Sequence, residues 1–230
     1  MLNLIGLQKF YGKKSVLNDL NFQFTEGQVY GIVGPNGAGK TTLFRCLIGL
    51  EDFAGRIQRN ENAAKQHIGY VPAEPYFLPK ITGKEYLTLL LEARNKSVQE
   101  DAAYHVFDIP LDQYINTYST GMKKKLALLG SLLQNNHIYI FDEVYNGLDF
   151  QSCLMVTDII QRLRSQGKLI LMASHIFSLM EETCDTILYL KEGKFDMISE
   201  RKDFASMKQH ISQDLRDSQL DALFPPHTVR

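Results

Sequence analysis

Apolar and polar residues alternate along Leu2 to Leu7 and again along Leu20-Asn21-Phe22-Gln23-Phe24, the period of strands buried on one face. Between them Phe10-Tyr11-Gly12-Lys13-Lys14 reads as a turn bearing aromatic residues and two cations, and Glu26-Gly27 as a second turn. Val29-Tyr30-Gly31-Ile32-Val33 is short, apolar and mostly β-favouring, the mark of a strand buried on both faces. Leu43 to Ile48 reads as helix. Gly49 to Asn62 is polar and turn-rich, and Ile68-Gly69-Tyr70-Val71 is the next strand, stopped by Pro72.

The period changes at Thr82. Thr82-x-x-Glu85 is a capping box, followed at helical spacing by Tyr86-Leu87 and Leu90-Leu91. From there to about Asn135 the pattern is helical without a strand, which predicts an inserted helical subdomain over about 82–135. Its second helix starts at Tyr118-Ser119-Thr120-Gly121-Met122, with Leu126, Leu129 and Leu133 on one face. Strands return at His137 to Phe141, Leu169 to Ala173, Thr186 to Leu190 and, after a Glu192-Gly193 hairpin turn, Phe195 to Ile198. Helices are expected over Asp149 to Gln166, closed by Gly167, and over Ile176 to Thr183. Beyond Arg201 the chain is polar and charged and ends in Phe224-Pro225-Pro226, a helix and a tail. Strands alternating with helices argue for an α/β core with a parallel sheet, interrupted once by helices.

The glycine-rich stretch Gly34-Pro35-Asn36-Gly37-Ala38-Gly39-Lys40-Thr41-Thr42 sits between a strand and a helix start and fits G-x-x-x-x-G-K-[ST] in full. That setting points backbone N–H groups and a positive helix end at one spot, where phosphates bind. Lys40 adds a cation for the outer phosphates and the Thr41 hydroxyl a ligand for Mg²⁺. The competing reading is a glycine-rich turn that matches by accident.

Two further groups fall at carboxyl ends of predicted strands, where open α/β sheets gather ligands. Asp142-Glu143 follows Phe141, and His175 follows Ala173. Asp142 closes an apolar strand and so needs a cation, and the metal on Thr41 is its natural partner. Glu143 is then placed to orient or deprotonate the attacking water. The alternative is a helix N-cap with an acidic first turn. His175 reads as a structural imidazole or as a donor to the γ-phosphate. Tyr11 reads as turn packing or as a stacking platform for adenine. Ser119, Gly121 and Met122 open a helix as a second potential anion site, or as an ordinary cap. Lys123-Lys124-Lys125 beside them is most simply a solvated face.

Composition narrows the setting. The 230 residues carry a net charge of −1, which gives no reason to expect nucleic acid as a partner. The three cysteines, Cys46, Cys153 and Cys184, lack metal-ligand spacing and suit buried thiols in a reducing compartment. The N-terminus has no signal-like segment and no apolar run approaches the roughly 18 residues of a membrane span, so a soluble, cytoplasmic protein is expected.

In this order the segments resemble the ATP-binding subunit of ABC transporters, most closely of bacterial ABC-2 type exporters, over about residues 2 to 200. Gly34 to Thr42 is similar to Walker A, His137 to Glu143 to Walker B with its catalytic glutamate, and Tyr118 to Met122 to the ABC signature. Asn146-Gly147-Leu148-Asp149 stands where the D-loop does, His175 at the switch histidine and Tyr11 at the A-loop aromatic. The resemblance implies a P-loop NTPase core, mainly parallel sheet with helices plus an antiparallel β subdomain, with an inserted helical subdomain. It implies one ABC domain over 1–200 and a C-terminal helix or tail over 201–230. It further implies ATP and Mg²⁺ as cofactors, a second nucleotide-binding subunit (the same chain or another), and an integral-membrane permease that holds the protein at the inner face of the membrane. In such a pair Ser119, Gly121 and Met122 serve a nucleotide held mainly by the opposite subunit.

Three positions depart from the family pattern. Ala73, in Pro72-Ala73-Glu74-Pro75, stands where glutamine is usual; Val144 replaces the proline after the glutamate; Thr120 replaces the first signature glycine. Ala73 leaves open an alternative, a regulatory cassette that binds ATP but hydrolyses it poorly. Repair-type and ribosome-acting ABC ATPases fit less well, because only about 45 residues separate the strand near Val71 from the signature and the chain has a single Walker A.

Overall fold

The computed structural model describes residues 1–60, 67–96 and 106–223, with the backbone alone beyond residue 213. In chain order the elements are β1 (Leu2–Tyr11), β2 (Lys14–Phe24), β3 (Val29–Val33), α1 (Lys40–Ile48), β4 (Ala54–Arg59), β5 (Ile68–Val71), α2 (Gly83–Glu92), α3 (Thr120–Leu133), β6 (Ile138–Asp142), α4 (Phe150–Ser165), β7 (Leu169–Ala173), α5 (Phe177–Thr183), β8 (Thr186–Lys191), β9 (Lys194–Glu200) and α6 (Phe204–Leu223).

β3, β6 and β7 are buried at every position, so each must be covered on both faces. They lie inside a six-stranded sheet of order β5-β6-β7-β3-β8-β9, parallel except for the β8–β9 hairpin. Alternate residues point to opposite sides. Tyr30, Ile32, Ile138, Ile140, Leu169 and Leu171 pack with Leu43, Phe44 and Leu47 of α1 and with the inner face of a small antiparallel sheet, β2-β1-β4. Val29, Val33, Tyr139, Phe141, Ile170 and Met172 face the other way, among residues of α3, α4, α5 and α6 such as Leu128, Val156, Met180 and Met207. The fold is the P-loop NTPase α/β core with an added antiparallel sheet.

The two sheets meet through aromatic edges and through one backbone contact. Phe22 of β2 lies 5.9 Å from Phe195 of β9, and Phe24 lies 5.0 Å from Tyr30 of β3. Glu192 and Gly193 turn the β8–β9 hairpin with φ of 48° and 75°, the left-handed pair that a tight hairpin requires. Asn18 N–H of β2 donates to Gly193 O at 2.8 Å, and a Cβ on Gly193 would stand 2.6 Å from Val16 O.

The capping box forms as expected: Thr82 Oγ1 accepts from Glu85 N–H, and Glu85 Oε2 accepts from Thr82 N–H at 2.8 Å. Between α2 and α3 the residues from 106 onward hold a short 3₁₀ turn, Ile115–Thr117, and one isolated bridge, Thr82 to Tyr114. The segment 97–105 of the expected helical stretch, Glu61-Asn62 and the final Phe224-Pro225-Pro226 lie outside the described residues.

Three expectations need correction. Gly49 to Asn62 is not turn throughout, because Ala54–Arg59 forms β4 as an edge of the small sheet. β2 begins at Lys14, so the turn after Tyr11 is confined to Gly12 and Lys13. Lys123-Lys124-Lys125 is not a solvated face, since Lys124 is 2% exposed. A helix rotates by about 100° per residue, and Lys124 shares its inward face with Leu128 and Ser131.

Candidate nucleotide site

α1 begins at Lys40, and the glycine loop arrives at its N-terminus directly from β3. Lys40 Nζ donates to the loop's own carbonyls, Gly34 O at 2.7 Å and Pro35 O at 3.2 Å. Burial lowers the Lys40 pKa, against the nearby charges of Glu143 and Asp142. Thr41 Oγ1 donates to Asp142 Oδ2 at 2.7 Å, with Tyr70 OH 3.5 Å from the same oxygen. Asp142 is 1% exposed, and its other oxygen, Oδ1, is buried with no hydrogen-bond partner among the described residues. Burial raises the Asp142 pKa more than the Thr41 hydrogen bond and the Lys40 charge lower it. A hydroxyl, a carboxylate and an orphaned carboxylate oxygen together form a hard oxygen donor set that fits Mg²⁺.

Glu143 is the next residue, yet its side chain faces the cleft. Its backbone holds φ of 53°, and its N–H donates across to Ala173 O at 3.0 Å. Glu143 Oε1 lies 2.9 Å from His175 Nε2, while Oε2 accepts from His175 N–H at 3.2 Å and from Asn146 Nδ2 at 3.3 Å. The acidic pair is not a helix cap: Asp149 caps α4, accepting from Ser152 N–H at 2.8 Å.

A cleft of about 230 Å³ is lined by Asn36, Gly37, Ala38, Gly39, Lys40, Thr41 and Thr42, with Glu143 and His175 opposite and Val16 at one side. Gly34 and Pro35 instead line a neighbouring cavity with His175, Tyr189 and Lys208. Tyr11, 44% exposed, ends β1 with Lys9 Nζ 4.8 Å from its ring centre, and burial and Glu51 raise its pKa against the Thr42 hydroxyl. Ser119, Gly121 and Met122 do not join this cleft. Ser119 is the N-cap of α3, its Oγ accepting from Met122 N–H at 3.2 Å, and Met122 packs against the core. Gly121 lies against the loop after Glu143, where an added Cβ would come 2.7 Å from Gly147 O. Ala73 is also absent from the cleft lining.

Three neighbours escaped sequence reasoning, Val16, Tyr70 and Lys124, while the resemblance places Asn146 in the D-loop. Tyr70 carried a usable signal, since it sits in β5, the parallel neighbour of β6. Lys124 carried one too, through its spacing to Leu128. Val16 has an ordinary local context and no signal.

A strand–glycine loop–helix unit with a hydroxyl–carboxylate pair behind it and a carboxylate–imidazole pair in front defines a P-loop ATPase. A family model described as ABC transporter matches residues 17–146, and the chain belongs to that family as an ATP-binding subunit with ATPase activity. It is 32% identical over 197 residues to an uncharacterized ABC transporter ATP-binding protein of Methanocaldococcus jannaschii, covering 82% of this chain and 73% of that one. The Nod factor export ATP-binding protein I of Bradyrhizobium diazoefficiens is 30% identical, covering 91% of this chain and 73% of the relative. The lantibiotic transport ATP-binding protein SrtF of Streptococcus pyogenes is 31% identical, covering 84% and 88%. Among solved structures, an ATP-binding subunit of an ABC transporter superposes with a TM-score of 0.77 at 26% identity, over 97% of this chain and 98% of that one.

Proposed function

We propose that this chain is the ATP-hydrolysing motor of an exporter, working as one of a pair of nucleotide-binding subunits that close on ATP and drive a separate membrane permease. The observation that carries the reading is the carboxylate of Glu143, turned into the cleft and clipped to His175 opposite the glycine loop.

Gly34 to Thr42 bind the phosphates through backbone N–H groups, and Lys40 exchanges its two loop carbonyls for the outer phosphates. Thr41 and Asp142 hold Mg²⁺, which when bound supplies charge neutralisation at the phosphates. Glu143 takes the proton of the attacking water, and His175 supports the γ-phosphate and that water. Tyr11 stacks on adenine. One helix end supplies only about half a positive charge, so a triphosphate is better neutralised by two ends. The exposed N-terminus of α3, with Ser119, Gly121 and Met122, supports a role at the nucleotide of the opposite subunit.

Residues 1–200 would form the ATPase domain, 82–135 its helical subdomain, and 201–230 a C-terminal segment. Among the described residues no helix is long and apolar enough to cross a membrane, which supports a separate permease. The segment Ala73 to Pro79 and the helical subdomain are the proposed docking surface. Support comes from Tyr76 (80% exposed), exposed Leu78 and Leu89, and an adjoining groove of about 630 Å³. Export is favoured by the names of the relatives, and the inner face of the membrane is the corresponding location. Ala73 favours a second reading, a regulatory cassette that hydrolyses poorly.

Phosphate release by the wild type beside Glu143→Gln tests the choice. A loss of about 10²–10⁴-fold is expected for removal of a general base, with ATP retained and a dimer accumulating. A wild type as inert as the variant, with or without its permease, leaves only the regulatory cassette.

A further inference from the structure

Lys124 belongs to α3, one turn beyond the exposed residues Ser119 and Thr120, and is itself buried. Its Nζ donates to the backbone carbonyl of Glu143 at 2.7 Å. A lysine ammonium 2% exposed is costly to bury unless it is held by specific partners. Burial lowers the Lys124 pKa, and the carboxylates of Glu143, Asp142 and Glu74 counter that effect. Glu74 brings in the loop after β5, beside the departure at Ala73.

The residue Lys124 holds is conformationally unusual. Glu143 sits in the left-handed region, which residues with a Cβ occupy only where their surroundings over-determine it. Those surroundings are few: Ala173 O accepts from its N–H, Asn146 Nδ2 and His175 N–H donate to its carboxylate, and its carbonyl accepts from Lys124 Nζ at 2.7 Å and from Asn146 N–H at 3.2 Å. Without Lys124 the carbonyl keeps, among the described residues, only the longer bond from Asn146 N–H, so the Glu143 peptide is held less firmly in that region and the carboxylate shifts with it.

We propose that Lys124 is a positioning residue for hydrolysis, pinning the Glu143 backbone so that its carboxylate faces the water, and thereby tying the α3 end that meets the partner's nucleotide to catalysis in its own cleft. The inference rests on the reading of Glu143 as general base.

Full-length Lys124→Met, Lys124→Arg and Glu143→Gln are compared with wild type in single-turnover hydrolysis of γ-labelled ATP with protein in excess. Affinity for a fluorescent ATP analogue and thermal melting are measured alongside. Lys124→Met, which keeps bulk but loses the donor, is expected to slow hydrolysis by about 10²-fold, the scale of a 1 Å misplacement of a catalytic group. Affinity should stay within about twofold and Lys124→Arg should recover most of the rate, as expected when an interaction made only in the transition state is removed and then restored. If Lys124→Met does not fold, Lys124→Leu, which also lacks a donor, carries the same expectation.

A wild-type rate in Lys124→Met, with Glu143→Gln inactive, overturns the proposal. So does a joint fall in rate, affinity and melting temperature that Lys124→Arg does not reverse, because that is the mark of packing alone. A wild-type rate in Glu143→Gln removes the base itself, and the role of Lys124 falls with it.

Discussion

The glycine-loop cleft and the N-terminus of α3 are both places where a helix start can meet an anion, yet they are furnished differently. In the cleft the functional groups are already bonded to one another: Lys40 to Gly34 and Pro35, Thr41 to Asp142, Glu143 to His175 and Asn146. At α3, among the described residues, the Ser119 side chain bonds within its own helix, and Ser119 and Thr120 are exposed. A cleft of the first kind is held in shape by its own hydrogen bonds, and ligand binding exchanges one set of hydrogen bonds for another at small net cost. The second has only the Ser119 cap to exchange among the described residues and little to hold a ligand by itself. Measurements on one subunit should report the first region, and measurements that need two should report the second.

The largest contrast is expected from Gly121→Val. A side chain there collides with the Gly147 carbonyl, spoiling the α3 end and leaving the glycine loop untouched. ATP affinity of the single subunit should stay within about twofold, while hydrolysis falls about 10²-fold, the scale expected when one charge-stabilising donor is lost. Equal losses in both assays would break the division between the regions.

Tyr11→Ala addresses the cleft side alone. Base–aromatic stacking contributes about 1–3 kcal/mol, so affinity for ATP should fall about tenfold by titration calorimetry, and the maximal rate should hold. An unchanged affinity would return Tyr11 to turn packing.

Asp142→Asn sharpens the cost of burying a carboxylate in the cleft. Burial sets the folded pKa of Asp142 above its ordinary value. An acid whose pKa rises on folding loses stability as pH climbs past its unfolded value, and that loss is complete once the pH exceeds the folded value. Removing the charge should therefore raise the melting temperature of the metal- and nucleotide-free protein slightly at pH 7, with no gain below about pH 3, under the ordinary value for Asp. The stabilising shift given by Mg²⁺ and ATP should disappear at the same time.

The cleft was readable because its parts are local or end a strand. The glycine loop is contiguous, and Asp142, Glu143 and His175 each follow a run of apolar residues whose meaning does not depend on distant contacts. β4 was hidden because it is an edge strand with a mostly exposed face, so its residues, such as Arg56, Gln58 and Arg59, show no alternation of apolar and polar. Lys124 was hidden by its own chemistry, since three consecutive lysines suggest water on all sides, whereas helical geometry turns one of them inward. The separation of Ser119 and Gly121 from the cleft is a tertiary fact that no local pattern encodes.

The Glu192-Gly193 turn has a last consequence for how this chain can vary. Hairpin tips are normally where a protein accepts inserted sequence or a new terminus. Here the tip is pressed against Val16 and bonded to Asn18, and Val16 in turn forms a wall of the cleft. Lengthening the turn would prise the small sheet off the large one at the point nearest the ligand. Tags, permuted ends and grafted epitopes therefore belong elsewhere, and a screen of random insertions should return a gap at residues 192 and 193.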